Sequence, residues 1–426
     1  NADFIQPDYN DIKWQSVVVP HDWAIYGPFG IDNDRQLTAI AQDGQKEAME
    51  HAGRTGGLPF VGVGWYRLNF DAPSFVKGKK ATLIFDGAMS HARVYINGQE
   101  AGYWPYGYNT FYLDVTPYLK EGTKNTLAVR LENETESSRW YPGAGLYRNV
   151  HLVVTEDAHI PTWGTQLTTP VVKDDYAKVN IKTTLVVPSG KQFDAYRIVT
   201  ELKDKDGKVV TTDEKQGSRF DDNIFSQELV VSRPALWSPE TPVLYQAVSK
   251  VYEGNILKDE YTTSFGIRTI EVIPNKGFFL NGEHYDIHGA NVHQDQAGWS
   301  DAVTHTAIAR DIAMVKECGM NFIRGSHYPH HPYFAEECDR QGILFWSENC
   351  FWGTGGVKEE GYWTASGYPV NEEDEEEFEA SCMQTLSEMI RVNRNHPSII
   401  VWSMCNEPFF SALDVLDKAR ALVRKL

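Results

Sequence analysis

Cysteine is scarce in this chain. Five occur in 426 residues, at Cys318, Cys338, Cys350, Cys382 and Cys405, and none lies before residue 318. The number is odd and no pair has metal-ligand spacing, which argues against a disulfide framework and a zinc site. Buried thiols of an α/β core are the expectation. No apolar run approaches the ~20 residues of a membrane-spanning helix. Positive charge is also short: 40 Lys and Arg against 58 Asp and Glu leave a net charge of −18. That balance disfavours nucleic acid and anionic membrane surfaces as partners. There is no His-Glu-x-x-His and no Gly-x-Ser-x-Gly, and Gly62-Val63-Gly64 leads into a strand, so it is not a phosphate loop. The chain starts at Asn1 without Met or leader, as a processed secretory protein or a trimmed piece would. A periplasmic or extracellular location is expected, with the cytoplasm as the alternative.

What is abundant is β-pattern and aromatic surface. Twelve Trp and 21 Tyr suit both ordinary cores and the stacking of rings on sugar C–H faces. Residues 1–155 read as all-β, with short strands at Trp65–Phe70, Ala81–Phe85, Ala92–Ile96, Thr126–Leu131 and Tyr147–Thr155, and a further short strand at Val17-Val18-Val19. Residues 32–57 read as a long polar loop. Asn97-Gly98 after Val94-Tyr95-Ile96 is the strongest hairpin signal. This pattern implies a jelly-roll β-sandwich. Residues 156–268 hold a second set of strands (Val179–Val187, Tyr196–Leu202, Val243–Val251) with turns at Asp206-Gly207 and Gly254-Asn255. Their length and spacing fit an immunoglobulin-like β-sandwich that acts as a spacer. Asn133-Glu134-Thr135 is a glycosylation sequon by pattern only.

From residue 269 to 426 the period changes to strand-helix units. Expected are strand Tyr285–Ala290, helix His305–Cys318, strand Met320–Arg324, a helix from Pro332 to Gly342, strand Ile343–Trp346, helix Glu372–Val392 capped by Asn371, a strand at Ile399, and helix Leu413–Leu426. The spacing is that of a (β/α)8 TIM barrel, which takes ~250 residues. About 150 remain after residue 275, enough for four strands. Four strands cannot close a barrel, so about half a barrel, and hence a piece of a longer enzyme, is the expectation.

Two stretches carry chemistry. Asn393 to Pro408 holds a buried strand, Ile399-Ile400-Val401-Trp402, that gives out at Asn406-Glu407. A carboxylate beside an amide at the C-terminal end of such a strand is placed for acid/base work. Asn321-Phe322-Ile323-Arg324-Gly325-Ser326-His327-Tyr328-Pro329 runs on to Cys338-Asp339-Arg340-Gln341-Gly342-Ile343-Leu344-Phe345-Trp346. Together these resemble, in order, the two signatures of glycoside hydrolase family 2, the β-galactosidase, β-glucuronidase and β-mannosidase family. Pro20-His21-Asp22-Trp23, Gly64-Trp65-Tyr66-Arg67 and Gly145-Leu146-Tyr147-Arg148 extend the resemblance to the first domain.

The resemblance implies a retaining hydrolase that cleaves terminal β-galactosides by double displacement. A β-glucuronidase, a β-mannosidase and a non-catalytic carbohydrate-binding fragment are the alternatives. It implies Glu407 as acid/base and Asn406 as partner of the sugar 2-hydroxyl. Arg324 would orient carboxylates, while His327 and His293 would contact sugar. Glu348 and Asn349 would line the site, with Trp352 and Trp299 as sugar platforms. Arg139-Trp140-Tyr141 would reach the barrel mouth from the first domain. The family's nucleophile sits at the seventh strand, and no stretch here matches it. Ser347 to Gly353 departs from the metal-binding pattern of well-known β-galactosidases, so no cofactor is assigned, and magnesium or sodium are the candidates. His330 and His331 beside His327 are read as a rigid turn between Pro329 and Pro332 in preference to a metal site, and Trp402 as core. The partner expected is a glycoside or oligosaccharide, with a homo-oligomer as the assembly to test.

Overall fold

The computed structural model describes residues 2–30, 32–33, 35–38, 49–52, 60–72, 78–134, 140–351, 358–359, 362–363, 375–406 and 413–426. Two β-sandwiches precede an open parallel sheet with helices.

In the first sandwich one sheet runs Gly62–Asp71, Lys124–Asn133, Ala92–Ile96, Gln99–Trp104, and the facing sheet runs Phe111–Asp114, Lys80–Phe85, Val150–Thr155. Alternation sets the faces. Ala92, Val94 and Ile96 are buried, while Arg93 and Tyr95 take the outer side. Between the sheets Trp104, Phe111 and Phe85 stack with centroids 5.2 and 4.8 Å apart. Asn97 and Gly98 both have positive φ, 52° and 83°, and the ladder resumes with Ile96 opposite Gln99. This is the twist-matched two-residue hairpin.

Two local expectations fail here, and the sequon stays a pattern. Val17-Val18-Val19 forms no ladder: Val18 is exposed and Val19 only packs against the sandwich core. An apolar, β-branched run becomes a strand only where it pairs with a neighbouring strand, and this run pairs with none of the described strands. The stretch expected as loop contains a hairpin, Arg35–Thr38 against Met49–Ala52, without the apolar alternation that would have announced it. The sequon residue Asn133 is buried, accepting from the Gly62 amide and donating to the Phe60 carbonyl.

The second sandwich pairs Thr165–Val172, Tyr176–Thr184 and Ile224–Ser232 in one sheet, and Val209–Gln216, Tyr196–Lys203, Tyr245–Glu253 and Ile256–Phe265 in the other. Val179, Ile181, Leu202, Leu229 and Phe265 fill the space between.

The third unit begins with a small antiparallel sheet (Ile270–Ile273, Gly277–Leu280, Glu283–His284) that the sequence reading missed. Four parallel strands follow in order: β1 (Gly289–Val292), β2 (Phe322–Gly325), β3 (Leu344–Glu348) and β4 (Ile399–Ser403). The helices are α1 (His305–Glu317), α2 (Pro332–Gln341), α3 (Glu375–Asn393) and α4 (Leu413–Lys425). The first strand falls later than Tyr285–Ala290, because pairing begins at Gly289 opposite Phe322. Thr304 caps α1 by accepting from the Ala307 amide. Gly342 ends α2 in the left-handed conformation, φ 74°. The expected cap Asn371 lies outside the described residues. Ile308 and Ile312 of α1 and Phe334 of α2 bury Ile323, Phe345 and Ile399 of the sheet. Cys338 and Cys382 are buried as expected. Cys318 is exposed instead, since it follows the last turn of α1 and has left its apolar face.

Candidate active site

The parallel register gathers polar side chains at the C-terminal rim of the sheet. Arg324 lies on β2 and His327 just beyond it. Glu348 ends β3, opposite Ser403 at the end of β4. Asn406 follows β4 and His293 follows β1.

Glu348 is the centre of the cluster. Its carboxylate is fully buried and accepts from five donors. Arg324 Nε reaches Oε2 at 3.0 Å and Arg324 Nη2 reaches Oε1 at 2.9 Å. His327 Nδ1 lies 2.8 Å from Oε1. Trp346 Nε1 and Ser403 Oγ complete Oε2 at 3.1 and 3.0 Å. A bidentate Arg and three further donors replace the hydration such a charge loses on burial.

Donor and acceptor counting then orients the neighbours. Arg324 Nη2 also lies 2.9 Å from Asn406 Oδ1. Arginine has only donors, so the Asn406 oxygen faces it and the amide N–H₂ points away. Arg324 Nη2 lies 3.2 Å from His327 Nδ1 as well, but that nitrogen cannot accept from Arg324 while donating to Glu348. The carboxylate is the shorter contact and can only accept, so the proton of Nδ1 goes to Glu348. The Cys405 thiol is pushed up to about 11, by burial first and then by the charge of Glu348. It stays protonated and is no nucleophile.

Beside this cluster lies a group of rings. His293 sits 5.3 Å from His327 and 5.6 Å from Tyr328 by centroids. Trp140 of the first sandwich sits 5.3, 5.6 and 5.8 Å from His293, His327 and Tyr328. Of the three first-domain residues expected at the mouth, Trp140 therefore reaches it. Tyr141 instead donates to both oxygens of Asp22, at 2.7 and 2.8 Å, and Arg139 lies outside the described residues.

The remaining candidates separate from the cluster. Asn349 is buried and donates weakly, at 3.4 Å, to the Cys382 carbonyl of α3. Trp299 is 46 % exposed and shares a groove with Ser16, Asp22 and Tyr26 of the first domain. Burial drives His330 down to about 3 and His331 well below its ordinary value. Their Nε2 atoms meet the Ser326 carbonyl at 3.2 Å and Asn149 Oδ1 at 3.3 Å. Among the described residues no three His, Cys, Asp or Glu are grouped to hold a metal. Trp402 packs at the edge of two apolar clusters. Glu407 and Trp352 lie outside the described residues. The sequence reading missed Tyr328, Trp346 and Ser403, although Tyr328 sat inside the quoted motif.

Three family models match the chain consecutively. They are the sugar binding domain of glycosyl hydrolases family 2 at residues 58–156, the family 2 central model at 158–268, and the family 2 TIM barrel domain at 271–426. The beta-galactosidase BoGH2A of Bacteroides ovatus is 38% identical over 408 residues, 94% of this chain and 44% of its own length. A beta-glucuronidase of Bacteroides fragilis is 33% identical over 350 residues, 78% of this chain and 48% of its own. A crystal structure of a family 2 member from Bacteroides cellulosilyticus superimposes with a TM-score of 0.87 at 30% identity, covering 100% of this chain and 53% of that one. Two sandwiches lead into a parallel sheet that carries its polar cluster at the C-terminal rim, as the order of the three models implies. The chain belongs to glycosyl hydrolase family 2. It spans about half the length of the curated relatives it matches.

Proposed function

We propose that the protein to which these domains belong is a retaining glycoside hydrolase acting on terminal β-galactosides. The observation that carries this reading is Asn406, whose oxygen Arg324 takes at 2.9 Å. Its amide N–H₂ is thereby turned away from Arg324 and suits a sugar 2-hydroxyl, a contact that strengthens in the oxocarbenium-like transition state. Glu407, the next residue, is assigned as acid/base. Glu348 is assigned a supporting role, because its five donors hold it as a buried carboxylate and leave it no room to attack an anomeric carbon. The nucleophile is assigned to a later barrel strand.

Arg324 has its charge taken up by Glu348 and is not available to pair with a substrate carboxylate. This favours a neutral glycone over a glucuronide, as does the galactosidase name of the 38% relative. The glucuronidase names of other relatives support the second reading.

Hydrolysis of aryl β-galactoside, β-glucuronide and β-mannoside by a chain extended through a complete barrel tests the proposal. The galactoside is expected to be cleaved fastest, and preference for the glucuronide would overturn the substrate assignment. Glu407→Gln should slow poor leaving groups far more than activated aryl glycosides. Equal loss on both would remove Glu407 from the acid role.

A further inference from the structure

His327 and His293 stand side by side, 5.3 Å apart by centroids, and their partners favour opposite proton positions. His327 donates through Nδ1 to Glu348 Oε1 at 2.8 Å, which in a neutral ring leaves Nε2 as the lone-pair acceptor. His293 Nδ1 faces the Tyr328 hydroxyl at 3.1 Å. That hydroxyl already accepts from the Gln294 amide, also at 3.1 Å. Accepting that bond leaves the hydroxyl its own hydrogen, which can go to His293 with Nδ1 as the acceptor and the ring proton on Nε2. Burial lowers the His293 pKa and favours its neutral form.

Tyr328 cannot turn to offer another arrangement. Its ring is 1% exposed and lies between Tyr108, 4.0 Å away at 8°, and His330, 5.3 Å away at 18°. Tyr108 belongs to the first sandwich and in turn accepts from Trp140 Nε1 at 3.0 Å.

We propose that Glu348 and Tyr328 hold His327 and His293 in opposite neutral tautomers, so that the mouth offers a glycone one imidazole acceptor and one imidazole N–H donor, and that Tyr108 and Trp140 of the first domain act as positioning residues for this pair. The inference rests on the glycosidase reading for the ligand, but the proton positions stand apart from it. A sugar hydroxyl both donates and accepts, so a matched pair of this kind reads hydroxyl orientation in a way that two identical tautomers would not.

The test is ¹⁵N imidazole NMR of this 426-residue chain, assigned by His293→Gln and His327→Gln. His327 is expected as the Nδ1–H tautomer and His293 as the Nε2–H tautomer at neutral pH. The same tautomer at both positions overturns the proposal. Tyr328→Phe keeps the ring stack and removes only the hydroxyl. It should turn His293 into a tautomer mixture while His327 keeps its signal, and an unchanged His293 signal would overturn the role of Tyr328. Trp140→Phe should broaden or shift both imidazoles, and Trp140→Ala more so, at an unchanged fold by circular dichroism. Unmoved signals in both variants would overturn the first-domain role.

In the extended chain, Tyr328→Phe should lower kcat about 10- to 100-fold with a smaller change in KM, as expected for misplacement by a fraction of an ångström. If the tautomers are as stated and the extended wild type cleaves no glycoside, the glycosidase reading fails and the proton assignment stands.

Discussion

The barrel sheet meets its two sandwiches at opposite ends and by different means. Against the first sandwich it presents its C-terminal rim. Arg148, 1% exposed, is the bolt. It donates to the Asp86 and Tyr108 carbonyls at 3.1 and 2.8 Å within its own domain, and to Gln294 Oε1 and the Pro329 carbonyl at 2.7 and 2.9 Å across the junction. Gln294 and Pro329 flank His293 and Tyr328, so this junction is continuous with the ring group beside Glu348.

Against the second sandwich the sheet presents the loop entering β4. There Arg394 donates to the Thr165 and Trp163 carbonyls at 3.1 and 3.0 Å, and Asn395 exchanges bonds with Leu167 and Thr165. Arg268 reaches back to the Pro397 and Ile399 carbonyls at 2.9 and 2.8 Å. These contacts run from side chains to backbone and lie at the end of the strand away from the polar cluster. In a barrel, the top face carries function and the bottom face stability. The comparison shows the first sandwich joined to the one and the second sandwich to the other.

The comparison breaks first at Glu348. Glu348→Ala strips five donors of their acceptor and leaves the Arg324 charge uncompensated. A loss of about 3–5 kcal/mol is expected, read by chemical denaturation, together with loss of activity in the extended enzyme. A loss under about 1 kcal/mol would mean that the cluster is held from elsewhere. Next comes Arg148→Met, which leaves buried carbonyls unpaired at about 1–3 kcal/mol each. Stability and kcat should fall together, since Pro329 adjoins Tyr328.

The matched change at the other junction, Arg394→Met, should cost about 1 kcal/mol and leave kcat unchanged. If it lowers kcat as Arg148→Met does, the two junctions are not functionally distinct.

The smallest effect concerns pH. Glu388 on α3 accepts from Asn109 of the first sandwich at 3.1 Å, and burial pushes it up to about 7 from an ordinary value of 4.5. Between about 4.5 and 7 the folded chain holds a proton that the unfolded chain has released. Stability from this group is therefore present at low pH and lost as pH rises through that window. Glu388→Gln should flatten the dependence of Tm on pH between 5 and 8. An unaltered slope would place the titration on other groups.

Much of this protein was legible before folding, for a local reason. The Asn97-Gly98 hairpin and the Gly342 stop are decided by the φ/ψ preferences and hydrogen bonds of neighbouring residues. The alternation of strands and helices after residue 285 comes from hydrophobic period. The short sheet at 270–284 escaped because strands of two to four residues carry too little pattern to register. Arg324, His327 and Asn406 could be suspected as separate residues, each near a strand end.

What only the tertiary structure decided is what they do to one another. The meeting of Arg324 with Glu348 and Asn406 depends on a parallel register across three strands. The meeting of Trp140 with His293 depends on a sandwich docking onto a barrel rim. Those contacts join residues 24 to more than 150 positions apart. Distance along the chain carries no local preference, so the proton positions and the first domain's hold on them come from packing alone.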